Sequence, residues 1–229
     1  MKIKIRNPFL ELSKQQYCIW IGSMIIIAVS AVIFGAFDWM SVGTSLLGVT
    51  MLIFMAKGDV FAQILTIFFC LLYGAVSYTF SYYGEMITYL GMTLPVCIFT
   101  LVSWLRHPYK KGEVKIADIS KKAVIVITLL SIVVTVIFYF ILEYFNTPNL
   151  FFSTVSIATS FFAASLAFLR SPYYALAYGA NDVVLIILWV LASFEDVSYV
   201  AMVACFAVFL FNDVYAFFNW GKMKKLQRM

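Results

Sequence analysis

Charge is what this 229-residue chain has least of. Only 12% of it is Asp, Glu, Lys or Arg against 64% hydrophobic, too little polar surface to clothe a soluble globule. Histidine occurs once, as His107 beside Pro108, which excludes the histidine clusters of zinc enzymes. The four cysteines (Cys18, Cys70, Cys97, Cys205) are far apart and form no C-x-x-C, so neither a disulfide framework nor a metal site is expected. There is no G-x-S-x-G, H-E-x-x-H or P-loop. The chain therefore reads as no enzyme, with no cofactor and no ATP-driven pumping of its own. A cleavable leader is not expected either, because the first apolar run is too long and no small-x-small site follows it.

What the chain has is eight apolar segments, at about 17–37, 40–56, 60–83, 86–104, 123–142, 150–169, 173–193 and 197–219. Each is long enough to cross a bilayer, for which about 17–25 apolar residues suffice. All sixteen Lys and Arg fall on alternate connections: Lys2, Lys4, Arg6 and Lys14 before the first, Lys57 after the second, six between Arg106 and Lys122, Arg170 after the sixth, and four from Lys222 onward. The other connections hold only Asp38, Glu85, Glu143, Glu195 and Asp196. Basic loops stay in the cytoplasm, so both termini are expected there, in a multi-pass inner-membrane protein. The net charge of +5 then marks lipid headgroups as neighbours rather than nucleic acid.

A weak repeat spans the long basic connection. Glu85-Met-Ile-Thr-Tyr-Leu-Gly-Met92 and Glu195-Asp-Val-Ser-Tyr-Val-Ala-Met202 both read E-x-x-[TS]-Y-x-[GA]-M. Each bridges two segments on the acidic side. The expected architecture is an all-α polytopic membrane protein: an extra N-terminal helix plus a 3+1+3 core of parallel triplet repeats, the SWEET-like arrangement. Its parts are a cytoplasmic N-terminus with the extra helix (1–38), a first triplet (39–105), a basic loop with a linker helix (106–148), a second triplet (149–221) and a basic cytoplasmic tail (222–229).

Polar residues at membrane depth locate the candidate site. Asp182 lies in the middle of segment seven, where an aspartate costs about 2.5–3.5 kcal/mol to insert. Tyr178, Asn181, Asp182, Leu185 and Trp189 share one helical face with it. In segment eight Asn212, Tyr215 and Asn219 form a similar stripe, and Asp213, turned by about 100°, is expected to reach the cytoplasmic interface or Lys222. Segment three aligns Gln63, Thr66, Cys70, Tyr73 and Ser77. Pro95 in segment four frees a carbonyl and permits a kink. The plainer reading is that these groups only knit helices together, at about 0.6 kcal/mol per hydrogen bond.

Leu72-Tyr73-Gly74, Tyr82-Tyr83-Gly84-Glu85, Pro95 with Trp104, and Asn212-Asp213-x-Tyr215-x-x-x-Asn219-Trp220 resemble the PnuC family of bacterial vitamin transporters over nearly the whole chain. The resemblance implies a SWEET-like fold, a homotrimer, and facilitated diffusion of nicotinamide riboside or a similar nucleoside-like vitamin, trapped by a cytoplasmic kinase. The chain departs from the family twice. The W-x-x-W-x-x-N of the penultimate helix reads Ala175, Tyr178 and Asn181, and a glutamine two residues after the proline is Cys97. Deoxynucleosides and thiamine therefore remain alternative substrates.

The expected site comprises Tyr178 and Tyr73 for stacking and Asn181, Asn212 and Tyr215 for hydrogen bonds. Asp182 serves as acceptor or counter-charge, and Trp189, Cys97 and Asn219 complete the set. Alternating access is expected as rocking of one triplet on the other, with Pro95, Gly84, Gly91 and Gly179 as compliant points, and proton coupling through Asp182 is the alternative mechanism. A non-transporting subunit or sensor is the reading from another class.

Overall fold

The computed structural model describes residues 7–35, 38–79, 83–110 and 112–229; Lys2, Lys4, Arg6, Tyr82 and Lys111 lie outside the described residues. Among the described residues eight helices are long and apolar enough to cross a membrane. They are α1 (Lys14–Ile33), α2 (Trp39–Lys57), α3 (Phe61–Thr79), α4 (Tyr83–Arg106), α5 (Lys121–Tyr144), α6 (Leu150–Phe168), α7 (Tyr173–Ser193) and α8 (Val200–Arg228).

Side-chain caps start several of them. Ser13 and Gln16 form a reciprocal capping box at α1. The Asp38 carboxylate accepts the Ser41 N–H at 2.8 Å at α2, and that bond holds the carboxyl below its ordinary range. Ser120 caps α5 through the Ala123 N–H. The ends of α2 and α6 are alike. Gly58 (φ 70) and Arg170 (φ 58) both turn left-handed. Gly58 N–H donates to Met55 and Asp59 N–H to Phe54, while Arg170 N–H donates to Ala167 and Ser171 N–H to Leu166. These two reversals, 112 residues apart (58 to 170), show an internal correspondence in backbone geometry, a stronger one than the repeated motif.

Helix α4 is not simply kinked at Pro95. Thr88–Thr93 winds as a π turn, with the Leu94 N–H reaching back to the Tyr89 carbonyl. The wide turn absorbs the hydrogen bond that proline cannot make, and it sets Tyr89 against Tyr73 of α3 with ring centroids 4.2 Å apart.

The described basic residues gather at one end of the bundle. There Pro108–Lys110 and Glu113–Val114 pair as a short antiparallel hairpin. Val60 N–H donates to Gly112, Val114 N–H to Gly58, and Ala117 N–H to Arg170, so the loop is fastened to the ends of both α2 and α6. Helix α8 runs on to Arg228, past the apolar segment that ends near 219, and the basic residues of the tail anchor the loop. Gln227 bonds Ile116 N–H and the Val114 carbonyl, and Asp118 pairs with Lys224 and Arg228. Lys224 first and then Arg228 hold the exposed Asp118 carboxyl below its ordinary range. Lys57 is buried, 3.0 Å from Glu11 and 3.4 Å from Asp59.

Helix α8 packs on α7, α2 and α1, α6 on α7 and α5, and α2 on α3. Helix α5 is the least buried span. The main core lies at the basic end, around Phe54, Trp104, Tyr174 and Trp220. A second cluster, with Val49, Leu185, Phe206 and Phe209, lies farther along the bundle.

Candidate functional site

A cavity of about 110 Å³ lies among α2, α3, α4, α6, α7 and α8. Its floor, toward the basic end, is Tyr174, which sits edge-on to Trp220 at 4.7 Å, with Trp104 behind. All three side chains are fully buried. Trp104 Nε1 of α4 donates to the Ala167 carbonyl of α6, and Trp220 Nε1 of α8 donates to the Met55 carbonyl of α2. The third helix of each triplet is thus bolted to the first helix of the other, in the same way twice.

The roof is aromatic. Phe69, Tyr73, Tyr89, Trp189, Phe206 and Phe209 border the cavity and also a vestibule of about 310 Å³ that runs to Asp38, Ser41 and Ser198 at the opposite end. The widest groove, about 620 Å³, lies elsewhere, between α5, α6 and α7. Its lining is apolar but for a few hydroxyls, and α5 is mostly exposed, so it is an open furrow on the outer face of the bundle. The polar groups converge on the smaller chamber.

Five of the expected site residues line that chamber: Tyr73, Tyr178, Asn181, Asp182 and Trp189. Asn181 is held by two hydroxyls of α6. Ser156 Oγ donates to its Oδ1 at 3.1 Å and Thr159 Oγ1 at 2.7 Å. Two donors on one oxygen fix the amide orientation, so Nδ2 is the group offered to the cavity. Asp182 is buried, and its Oδ2 meets no hydrogen-bond donor.

The other four are placed elsewhere. Asn212 Nδ2 donates to Ser23 Oγ of α1 at 3.0 Å and to the Val208 carbonyl at 2.8 Å. Asn219 donates to the Ala56 carbonyl of α2. Tyr215 packs against the basic-end core, and Cys97 is buried and is not among the cavity-lining residues. The expectation for Asp213 is corrected. It is 3% exposed and lines the cavity together with Asp182, rather than reaching Lys222. One helical step of about 100° sends Asn212 toward α1 and Asp213 inward.

Several lining groups were not singled out in the sequence. Ser153, Ser156 and Ser160 form a hydroxyl stripe on α6, and Glu85, Thr88 and Tyr89 enter from α4. The serine stripe had a legible signal in its helical spacing. Tyr89 stood in the repeated motif but depends on the π turn for its direction.

On the 112-residue spacing of the matching turns, Cys70 of α3 answers to Asp182 of α7. Likewise Cys97 stands seven residues before Trp104, as Asp213 stands seven before Trp220. The two cysteines and the two aspartates therefore occupy corresponding positions in the two triplets.

Eight spans around an enclosed, largely apolar chamber that holds the buried polar groups, plugged at one end and approached by a vestibule from the other, define a multi-pass membrane transporter. The profile of the family described as "Nicotinamide mononucleotide transporter" matches residues 38–222, and the chain belongs to that family. A curated relative, the nicotinamide riboside transporter PnuC of Neisseria mucosa, is 24% identical over 213 residues, covering 90% of this chain and 81% of that protein. The crystal structure of the vitamin B3 transporter PnuC superposes with a TM-score of 0.77 at 22% identity, covering 94% of each chain. The likeness shows a shared fold.

Proposed function

We propose that this chain carries nicotinamide riboside, or a nucleoside-like vitamin of similar shape, by facilitated diffusion across the bacterial inner membrane. The observation that carries the reading is the cavity lining. Tyr73, Tyr89 and Tyr178 offer faces for an aromatic ring, Asn181 Nδ2 and the α6 serines offer hydrogen bonds for a sugar, and Asp182 offers a counter-charge for a cationic ring such as pyridinium or thiazolium. Each ring stacked on an aromatic side chain contributes about 1–3 kcal/mol.

The charge balance argues for a riboside over a mononucleotide. Glu85, Asp182 and Asp213 line the cavity, and no described lining residue is Lys, Arg or His. A phosphate there would meet carboxyls instead of the cations that normally bind it. Ala175, where the family carries tryptophan, is buried in the core beside Tyr174. The lost stacking area keeps thiamine and deoxynucleosides as alternatives.

With the basic end in the cytoplasm, the vestibule faces outward and the Trp104–Trp220 plug closes the inner side. The chamber is smaller than the roughly 300–1,000 Å³ of ordinary ligand sites. The roof rings must part to join it with the vestibule, after which one triplet rocks on the other. Family resemblance adds a homotrimer and a cytoplasmic kinase that traps the imported nucleoside. The exposed α5 is the surface left for lipid or neighbouring copies.

Counterflow tests the proposal. Proteoliposomes loaded with unlabelled nicotinamide riboside should accumulate the labelled compound at equal pH on both sides, without ATP. No counterflow, or uptake only under an imposed sodium or proton gradient, would overturn facilitated diffusion.

A further inference from the structure

The correspondence between the triplets relates the two cavities as well as the turns. On α6 the chamber is lined by Ser153, Ser156 and Ile157. The residues 112 positions earlier are Ser41, Thr44 and Ser45 of α2, and all three line the vestibule. On α7 the chamber is lined by Asn181, Leu185 and Trp189. Their counterparts at the same spacing, Phe69, Tyr73 and Ser77 of α3, again line the vestibule. The third wall follows the repeated motif, at that motif's own spacing of 110 (88 to 198). Thr88, Tyr89 and Met92 of α4 border the chamber. Ser198 and Tyr199, in the short turn before α8, and Met202 of α8 border the vestibule. Exchanging the triplets therefore carries the cavity among α6, α7 and α4 onto the cavity among α2, α3 and α8. Two voids of unrelated origin would have no reason to draw on matching positions from three walls.

The vestibule keeps the parts that hold a ring and a sugar. Tyr73, Tyr89, Trp189 and Tyr199 line it, with Trp189 and Tyr199 in ring contact at 5.3 Å. Thr44 Oγ1 donates to the Met40 carbonyl and Ser45 Oγ to the Ser41 carbonyl, so both oxygens keep lone pairs for a sugar hydroxyl. Its volume of about 310 Å³ reaches the roughly 300–1,000 Å³ of ordinary ligand sites, which the chamber, at about 110 Å³, does not. The vestibule lacks the chamber's fixed amide, because Asn181 is answered by Phe69.

We propose that the vestibule is a second binding site, for an aromatic ring joined to a sugar. The transported ligand occupies it while the roof is shut and leaves it when the roof rings part. This rests on the functional reading above and deepens it: the ligand is read twice, first by ring and hydroxyls alone, then by the amide and acid of the chamber. The rings of Tyr73, Tyr89 and Trp189, which border both cavities, serve the ligand on either side. The vestibule is the weaker site, by the loss of the bond from the buried amide, about 5- to 150-fold in Kd.

The test fills each cavity in turn in the whole purified protein and measures binding of labelled nicotinamide riboside, counterflow and a melting curve for every variant. Ser156→Phe fills the chamber. It should abolish counterflow yet still bind the riboside, about 5- to 150-fold more weakly than wild type. Ser160→Phe, one turn along the same serine stripe, replaces it if it melts too low to assay. Ser41→Phe and Ser198→Phe fill the vestibule and keep the backbone N–H groups that bond Asp38 and Asp196. Added to the chamber variant, they should remove the remaining binding. A chamber-filled protein that melts like wild type and binds nothing overturns the second site and leaves the transporter reading intact. Residual binding unchanged by filling the vestibule also overturns it, because the ligand then sits elsewhere. Failure of wild type to bind the riboside removes the functional reading and this inference with it.

Discussion

Replacing Asn181 by alanine separates a binding group from a helix-to-helix contact, because the structure gives different magnitudes for the two roles. As glue, Asn181 supplies two hydrogen bonds to α6, from Ser156 and Thr159. Within membrane proteins such bonds average about 0.6 kcal/mol each, so about 1.2 kcal/mol of stability is at stake. That corresponds to a fall of a few degrees, about 2–4 °C per kcal/mol, in thermal midpoint for a chain of this size. Thr159 keeps an alternative acceptor in the Val155 carbonyl at 3.0 Å, which limits the loss further.

As a binding group, Asn181 presents Nδ2 to the substrate. Its removal leaves a buried acceptor on the ligand unsatisfied, at about 1–3 kcal/mol, or about 5- to 150-fold in Kd. Binding of labelled nicotinamide riboside and the melting curve should be measured on the same preparation. The expected result is at least a fivefold loss of affinity with a small thermal shift. Thr159→Val, which removes the 2.7 Å bond behind the amide along with the hydroxyl's contacts to the Val155 and Ser156 carbonyls, should shift the melting point comparably and the affinity less. Unchanged affinity in Asn181→Ala with a lowered melting point would refute the assignment.

Other expectations follow from the same geometry. Trp220→Phe keeps the ring in the plug but removes its 2.8 Å bond to the Met55 carbonyl. That carbonyl still accepts the Gly58 N–H, so the loss should be about 0.5–1.5 kcal/mol by thermal or denaturant unfolding. Gly84→Ala would drive a methyl into Thr147 Oγ1 and to 2.8 Å from Leu142 Cδ2. Overpacking of this kind costs about 1–3 kcal/mol, and a melting curve equal to wild type would contradict it. The Asp118 carboxyl is held below its ordinary value of 3.8 by Lys224 and Arg228. Its contribution is therefore fully present above that value and is lost as pH falls through the lowered one. The melting difference between wild type and Asp118→Asn should accordingly be constant near neutral pH and vanish on strong acidification.

Much of the fold was legible because membrane helices obey few rules. Eight apolar runs of spanning length, and basic residues sorted to one end, led directly to eight helices. Tyr178, Asn181, Asp182 and Trp189 could be grouped because helical spacing puts them on one face of α7. The choice between Asn212 and Asp213 was not available from spacing. Adjacent residues differ by one helical step, and only the positions of α1 and α7 decide which one turns inward. The stripe Asn212, Tyr215 and Asn219 is real as a face, but α1, α2 and the basic-end core cover it. Tyr89 was hidden for another reason: a π turn changes helical phase, and periodicity counted at 3.6 residues per turn cannot anticipate it. The second reach of α8, to Arg228, came from contacts with the loop between α4 and α5, which no local pattern encodes.

The position of nicotinamide riboside in a structure of the complex tests the account most directly. The account predicts the pyridinium ring among Tyr73, Tyr89 and Tyr178, the ribose within hydrogen-bonding distance of Asn181 Nδ2, and the ring charge against Asp182. Ligand density in the apolar furrow between α5, α6 and α7, with the central chamber empty, would contradict it.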